Sequence, residues 1–481
     1  MKKIALFILP ITLFTACNPV KEKKLQPANP ILTVEGGQLQ GVASGTEGVY
    51  VYRGIPFAAV PVGDRRWKAP QPVTPWEGIK TADKFCAPCY QAAHVEGDFY
   101  QKEFFFDGDP PYSEDCLGLN IWTPAPAEPD RKLPVAMWVH GGGYVAGWGF
   151  EPEMDGEAWA ERGVILVTIN YRLSVFGFLA HPELSAENSQ KVSGNYGILD
   201  QIAALHWIKN NIAQFGGDPQ NIMVFGQSAG ANSIKQLVTS SLSKDMISKA
   251  VIQSGGGVSQ DNSILRSIDL KAAEELGKTI MDFGALDNLD KMRAASTEEV
   301  FKTYRAYGDS LKQWVRLGPV IDGQVLTQSF NDAAYQGNIS DIPYMIGFTR
   351  DDFSLFTNPE EIKAFCELRE DQGGESFAYQ FARPLPGDES GAFHSSELWF
   401  VFHTLDRSWR PFTDGDGALS QVMVDAWTNF AKSGDPNGTP DGNWTVYSRE
   451  NPQFMIFKLD QNGQEASEMG QPLPAEVEPA L

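Results

Sequence analysis

The sequence predicts an α/β fold, a largely parallel central sheet with helices on both faces, and three observations carry that expectation. Short β-branched or aromatic runs bounded by Gly, Pro or Asn recur along the chain; a helix-period apolar pattern lies between two of them; and glycine-rich turns directly follow two others. Strands buried on both faces read as continuous apolar runs rather than alternating ones, and their alternation with helices implies a parallel sheet.

In chain order the runs are 135–139, 164–169, 222–225, 250–252, 343–347 and 454–457. Between the second and third, Ile198, Ile202, Leu205, Ile208 and Ile212 recur at spacings of 4, 3, 3 and 4, one apolar face of a helix. The segment after 222–225 holds Gly226-Gln227-Ser228-Ala229-Gly230 and continues as a helical stretch over 231–238. Residues 31–460 are read as a single domain, and 461–481, acidic and Pro-rich, as a loose tail.

The amino terminus reads as an address. Lys2 and Lys3 precede an apolar run over 4–14 and then Thr15, Ala16 and Cys17, the charged, apolar and small-residue order of a secretory signal that is too short to span a bilayer. Cys17 after Thr15-Ala16 resembles the lipobox of bacterial lipoproteins, so residues 1–17 are expected to direct export and lipidation of Cys17. Residues 18–30 then form a solvated tether. The expected location is the bacterial cell envelope, facing the periplasm or the surface with the lipid as the membrane contact; the alternative is plain secretion after cleavage at a different site.

Composition excludes other classes. The 481 residues carry 39 Lys and Arg against 61 Asp and Glu, a formal charge of −22, which repels phosphate backbones and argues against nucleic acid. With 12 Trp, 29 Phe and 14 Tyr, the chain has too many aromatics to be disordered. Cys86-Ala-Pro-Cys89 lacks a second such pair or a His pair at ligand spacing, so no metal is expected, and no cofactor.

The Gly226–Gly230 turn has the G-x-S-x-G pattern in its required context, strand before and helix after, which lifts a serine hydroxyl above the sheet. His140-Gly141-Gly142-Gly143 directly follows 135–139, about 85 residues earlier, and its uncovered N–H groups suit a developing oxyanion. A hydroxyl needs a base, and the base an acid to orient it. Of six histidines, His140 belongs to the glycine loop, while His94, His181 and His206 read as surface or packing. His394 and His403 lie downstream of the serine, and His394 sits in the loop Gly391-Ala392-Phe393-His394.

Together with Tyr52–Ala58, Glu114–Asn120, Asn170-Tyr171-Arg172, Gly194–Gly197, Gln253-Ser254-Gly255 and Gly318–Gly323, these stretches resemble the type-B carboxylesterases, the family of cholinesterases and para-nitrobenzyl esterases. The resemblance runs from about residue 32 to 457 and implies an α/β-hydrolase fold and a serine hydrolase acting on small-molecule carboxylic esters. It assigns Ser228 as nucleophile, His394 as base, and the N–H groups of Gly142, Gly143 and Ala229 as oxyanion hole. It also implies a Cys89–Cys116 disulfide, leaving Cys86 and Cys366, and a structural Arg53–Glu114 ion pair. The alternatives are an amidase or lactonase with the same triad, or a non-catalytic cholinesterase-like binding protein.

Three departures qualify the match. The family's acid is a Glu; here aligning Thr349–Phe356 puts Asp352 in its place, with Asp351 as the competitor. Gln227 stands where the family commonly has Glu. The interval from Asp352 to His394 is shorter than usual, which implies a more open pocket for bulkier or more polar esters. Trp148, Trp399, Phe400 and Phe402 are candidates to line it or to pack beneath it.

Overall fold

Every one of the six apolar runs is a strand of one eleven-stranded sheet. The structure, a computed structural model, describes residues 30–125, 129–259, 268–353, 358–439 and 442–477, so Cys17 lies outside the described residues. The strands of this sheet are β1 (Val42–Ala43), β2 (Val49–Pro56), β3 (Gly118–Pro124), β4 (Leu133–Val139), β5 (Ile165–Ile169), β6 (Gly217–Gln227), β7 (Lys249–Gln253), β8 (Tyr344–Thr349), β9 (Ser376–Phe381), β10 (Phe454–Phe457) and β11 (Glu468–Gly470). Their spatial order is β11-β10-β9-β8-β7-β6-β4-β5-β3-β2-β1. From β5 across to β10 every pairing is parallel, and the flanking pairings at both edges are antiparallel.

The core explains why these runs are continuous rather than alternating. Val135, Met137 and Val139 of β4 face one apolar cluster, while Ala136 and Trp138 face another on the opposite side of the sheet. Helix α1 (Tyr196–Asn211) buries the predicted stripe of Ile198, Ile202, Leu205 and Ile208 against the first cluster. On the other face, α2 (Asp414–Ser433) starts at a capping box between Thr413 and Asp416 and buries Leu419, Met423, Trp427 and Phe430.

Two sequence expectations are corrected here. Part of the expected tail is held on the sheet: Glu468–Gly470 pairs with Phe454–Phe457, and Leu473 exchanges two hydrogen bonds with Gln380 at 2.7 and 2.8 Å. The reason is that β10 is apolar and buried along its whole length, and an uncovered edge of that kind needs a partner. Glu114 pairs with Arg66, at 2.5 Å, rather than with Arg53. Arg66 also donates to the Ala295 carbonyl, so the pair ties two loops together, while Arg53 lies over the Phe85 ring. The Cys89–Cys116 disulfide is present; Cys86 and Cys366 are free. Among the described residues no helix is long and apolar enough to cross a membrane.

Candidate active site

Ser228, Gly141–Gly143 and Asp352 all sit just past the carboxyl ends of parallel strands, β6, its neighbour β4, and β8 beyond β7, where ligands bind in open α/β sheets. Ser228 follows β6 and precedes the helix Ala229–Thr239, and its backbone stands at φ +58° and ψ −121°. A non-glycine residue in that region is strained, and the fold holds it there through the Ser228 N–H bond to the Gln253 carbonyl, 2.9 Å. The turn closes because Gly230 has no side chain: a Cβ there would overlap the Val139 carbonyl of β4.

His394 is buried and its Nδ1 lies 2.6 Å from Asp352 Oδ1. Asp352 is itself buried at the end of β8, so the carboxylate faces the imidazole without competition from bulk water. Asp351 points elsewhere. It accepts N–H bonds from Ala392 and Glu476, both 2.7 Å, and pairs with Arg350, which hold its carboxyl below the usual range against the opposing effect of burial. Asp351 therefore anchors the loop that carries His394. Tyr100, from a short helix at Phe99–Phe104, donates to the His394 carbonyl at 3.2 Å.

The glycine loop is equally well fixed. Gly142 has φ +91°, and a Cβ on it would overlap the Ala146 carbonyl. The Gln91 side chain both donates to and accepts from the Gly147 backbone, at 3.1 and 2.8 Å, tying the loop to the segment that carries Cys89. Among the described residues the N–H groups of Gly142 and Gly143 have no acceptor. Ala229 is the first residue of its helix, where N–H groups are unpaired and the helix dipole is positive. His140 is stacked on Tyr171, and burial pushes its imidazole down to about 4, so it stays neutral.

These groups open on one cavity of about 500 Å³, lined by Gly141–Gly143, Ser228, Ala229 and His394 with Phe104, Phe105 and Leu398. A second cavity of about 810 Å³ shares His94, Tyr100, Ala146 and Trp314 with it as walls, and Trp314 is 63% exposed. His94, expected to be surface or packing, is a wall of both cavities, with Nδ1 2.7 Å from Asp109 and its ring stacked on Phe105. Trp148 packs behind that stack instead of lining the Ser228 cavity, and His403 bonds Ser420 at 2.7 Å. Gln227 directs its amide to the His394 ring, 3.1 Å from Nε2. Glu397 is also buried next to this group, and burial, with the Asp352 charge adding to it, pushes its carboxyl up to about 7.

Sequence reasoning missed Tyr100, Glu397 and the role of His94. Tyr100 acts across 294 positions and carries no local motif, so nothing in its neighbourhood announces it.

Comparison with known proteins shows the family. The model of the Carboxylesterase family matches residues 28–364 and 360–473. The chain is 37% identical to a fumonisin B1 esterase of Sphingopyxis macrogoltabida over 87% of this chain and 85% of that protein. It is 33% identical to a para-nitrobenzyl esterase of Bacillus subtilis (strain 168), over 89% and 94%. Among solved structures, a thermophilic PNB esterase superimposes with a TM-score of 0.77 at 30% identity, covering 91% of this chain and 97% of that one. A Geobacillus stearothermophilus carboxylesterase gives 0.74 at 31% identity with the same coverage. A family model spanning nearly all of the described chain, and relatives of this identity over most of their length, establish that the protein is an α/β-hydrolase and carboxylic ester hydrolase belonging to the carboxylesterase family.

Proposed function

We propose that Ser228, His394 and Asp352 are the catalytic triad of this esterase and that the N–H groups of Gly142, Gly143 and Ala229 are its oxyanion hole. The 2.6 Å contact between His394 and Asp352, beside a serine held at a strained turn in the same cavity, carries the reading. Asp352 accepts a hydrogen bond from the His394 Nδ1–H, which leaves Nε2 unprotonated as the base. Ser228 Oγ attacks the ester carbonyl while Nε2 takes its proton; the carbonyl oxygen becomes an oxyanion received by the three N–H groups. Collapse expels the alcohol, which takes the proton from the imidazolium and leaves an acyl-serine. Water, deprotonated by Nε2, attacks that ester, and collapse of the second tetrahedral species releases the acid and restores the hydroxyl. Labelling with a fluorophosphonate followed by peptide mass spectrometry tests the assignment. The label belongs on Ser228 and disappears in Asp352→Asn and His394→Ala; labelling of any other serine refutes it.

The two adjoining cavities, which share the exposed Trp314 among their walls, support a site that takes bulkier esters. Fumonisin B1 and para-nitrobenzyl esters, for which two relatives are named, are the first compounds to try. A strong preference for the smallest acyl and alkyl groups counts against this part of the reading.

Export and lipidation at Cys17 complete the proposal, with the cell envelope as location and the lipid as the membrane contact. The order of residues in 1–17 supports it, and the Cys89–Cys116 disulfide suits an oxidising compartment. Partition of the full chain into detergent, lost in Cys17→Ala, is the expected result; partition that does not depend on Cys17 refutes it.

A further inference from the structure

One wall of the Ser228 cavity and the loop that carries His394 come from distant parts of the chain, and a single buried side chain holds both. Arg410 lies between the short helix Leu398–Val401 and α2, and its side chain is 0% exposed. Its Nε donates to both carboxylate oxygens of Glu103, at 3.0 and 2.9 Å, on the helix Phe99–Phe104. Its Nη1 donates to Asp388 and to the Pro386 carbonyl, at 2.9 and 3.0 Å, and its Nη2 to Asp388 and the Ser390 hydroxyl, at 3.1 and 3.3 Å. Pro386, Asp388 and Ser390 belong to the turn leading into Gly391-Ala392-Phe393-His394, which the Leu385 N–H closes on the Gly391 carbonyl at 2.9 Å. The guanidinium also lies over the Phe393 ring, 5.2 Å from its centre, and Phe99 meets that ring edge-on at 4.9 Å.

His394 is therefore held on both sides of its own backbone. Phe393 before it is gripped between Arg410 and Phe99, and its carbonyl takes the Tyr100 hydroxyl at 3.2 Å. Phe99 and Tyr100 share their helix with Glu103, and that helix ends in Phe104, a wall of the cavity. Glu103 is fixed in turn by the indole N–H groups of Trp399 and Trp409, at 2.9 and 3.3 Å. Enclosing a guanidinium with a carboxylate costs desolvation, and apolar packing of the same volume would join the two segments at less cost. What the ion pair adds is direction: a planar fork of N–H groups sets distance and angle to two partners at once. We propose that Arg410 is a positioning residue of the esterase, setting the Phe99–Phe104 helix against the His394 loop through Glu103 and Asp388 and so keeping the imidazole aligned with Asp352. This role presupposes that His394 is the base, as proposed above.

Arg410→Lys in the full chain tests it, because one ammonium keeps the charge but cannot face Glu103 and Asp388 in their present directions. With sites counted by fluorophosphonate titration, kcat per site on para-nitrophenyl acetate is expected to fall by about 10- to 100-fold while KM stays within about twofold. The downfield proton resonance of the His394–Asp352 hydrogen bond, identified by its absence in Asp352→Asn, should move upfield or vanish. Tyr100→Phe removes the hydroxyl and leaves the ion pair; added to Arg410→Lys it should cost no more than about a further twofold. Asp388→Asn, at the partly exposed end of the grip, should give the same changes in smaller degree and serves if Arg410→Lys does not fold. Arg66→Lys, at the buried pair with Glu114, is the control for stability alone: a lower melting temperature, with the resonance in place and kcat per site retained. An unmoved resonance with kcat per site within about twofold of the parent, losses that multiply in full with Tyr100→Phe, or an equal loss in Arg66→Lys overturns the role. Retention of kcat by His394→Ala would sink the triad itself, whereas an intact triad indifferent to Arg410 would leave the proposed function standing and remove this inference alone.

Discussion

Replacing Asp352 by Asn changes one atom and removes the only charge in contact with His394 Nδ1 that the proposed mechanism uses. At 2.6 Å the contact is a charge-assisted hydrogen bond between two buried groups. When the imidazole takes the serine proton, the new positive charge lies roughly 4 Å from the carboxylate's, which is worth about 4 kcal/mol at an effective dielectric of 20. At 1.36 kcal/mol per decade that is about 10³ in rate. An amide that turns its N–H toward Nδ1 also imposes the wrong tautomer, leaving Nε2 protonated and unable to act as base, which adds up to about another factor of ten. Asp352→Asn should therefore lower kcat on a para-nitrophenyl ester by about 10³ to 10⁴ with KM nearly unchanged. Asp351→Asn is the control. Asp351 holds the Ala392 and Glu476 N–H groups, so its loss should lower the melting temperature while costing less than about tenfold in kcat. Stopped assays on both variants at matched folded fraction decide the matter. An Asp352→Asn enzyme retaining a tenth of wild-type kcat, or an Asp351→Asn enzyme losing as much as Asp352→Asn, would refute the reasoning.

Three further outcomes follow from the same geometry. Gln227→Glu places a carboxylate where the amide now meets the His394 ring, which favours the imidazolium; the acid limb of kcat/KM should move up by about 1 pH unit, and an unmoved limb contradicts the contact. Glu114→Gln leaves Arg66 buried without its carboxylate and should cost about 3–5 kcal/mol in urea unfolding, whereas a loss under about 1 kcal/mol would mean the pair is dispensable. Glu397 has its carboxyl raised from 4.5 to about 7, so between those values the folded chain holds a proton that the unfolded chain has released. Its contribution to stability therefore falls as pH rises through that window, by at most about 1.4 kcal/mol per unit, and Glu397→Gln should flatten the slope measured by denaturant titration from pH 5 to 7.

Residues whose task is set by local chain geometry were legible in the sequence. Ser228 and the Gly141–Gly143 loop each follow an apolar strand and need glycines at particular places, so strand, glycine and chemistry appear together in the text of the chain. Asp352 was legible one step less directly, because two adjacent carboxylates at the end of β8 differ only in which way the backbone turns them. Their partners, His394 for one and Ala392 for the other, become visible only in three dimensions. His94 and Tyr100 come from an irregular segment far upstream and reach the site by packing, which leaves no periodicity to read. The Arg53–Glu114 expectation failed for a related reason: a long cationic side chain is placed by its neighbours, and Arg66 reaches Glu114 first. The final segment misled through its composition. Acidic and Pro-rich residues suggest solvent, yet a few main-chain groups around Met469 and Leu473 suffice to cover an apolar edge.

Ester hydrolysis through Ser228 is the central claim, and a single comparison tests it most directly. Purified enzyme and its Ser228→Ala variant, matched by melting temperature, are assayed side by side on para-nitrophenyl acetate with a stopped-flow record of the first turnover. The account predicts a burst of para-nitrophenol from acyl-enzyme formation, or turnover at the same site, in the parent and neither in the variant. Hydrolysis by Ser228→Ala at a rate close to the parent's would contradict it.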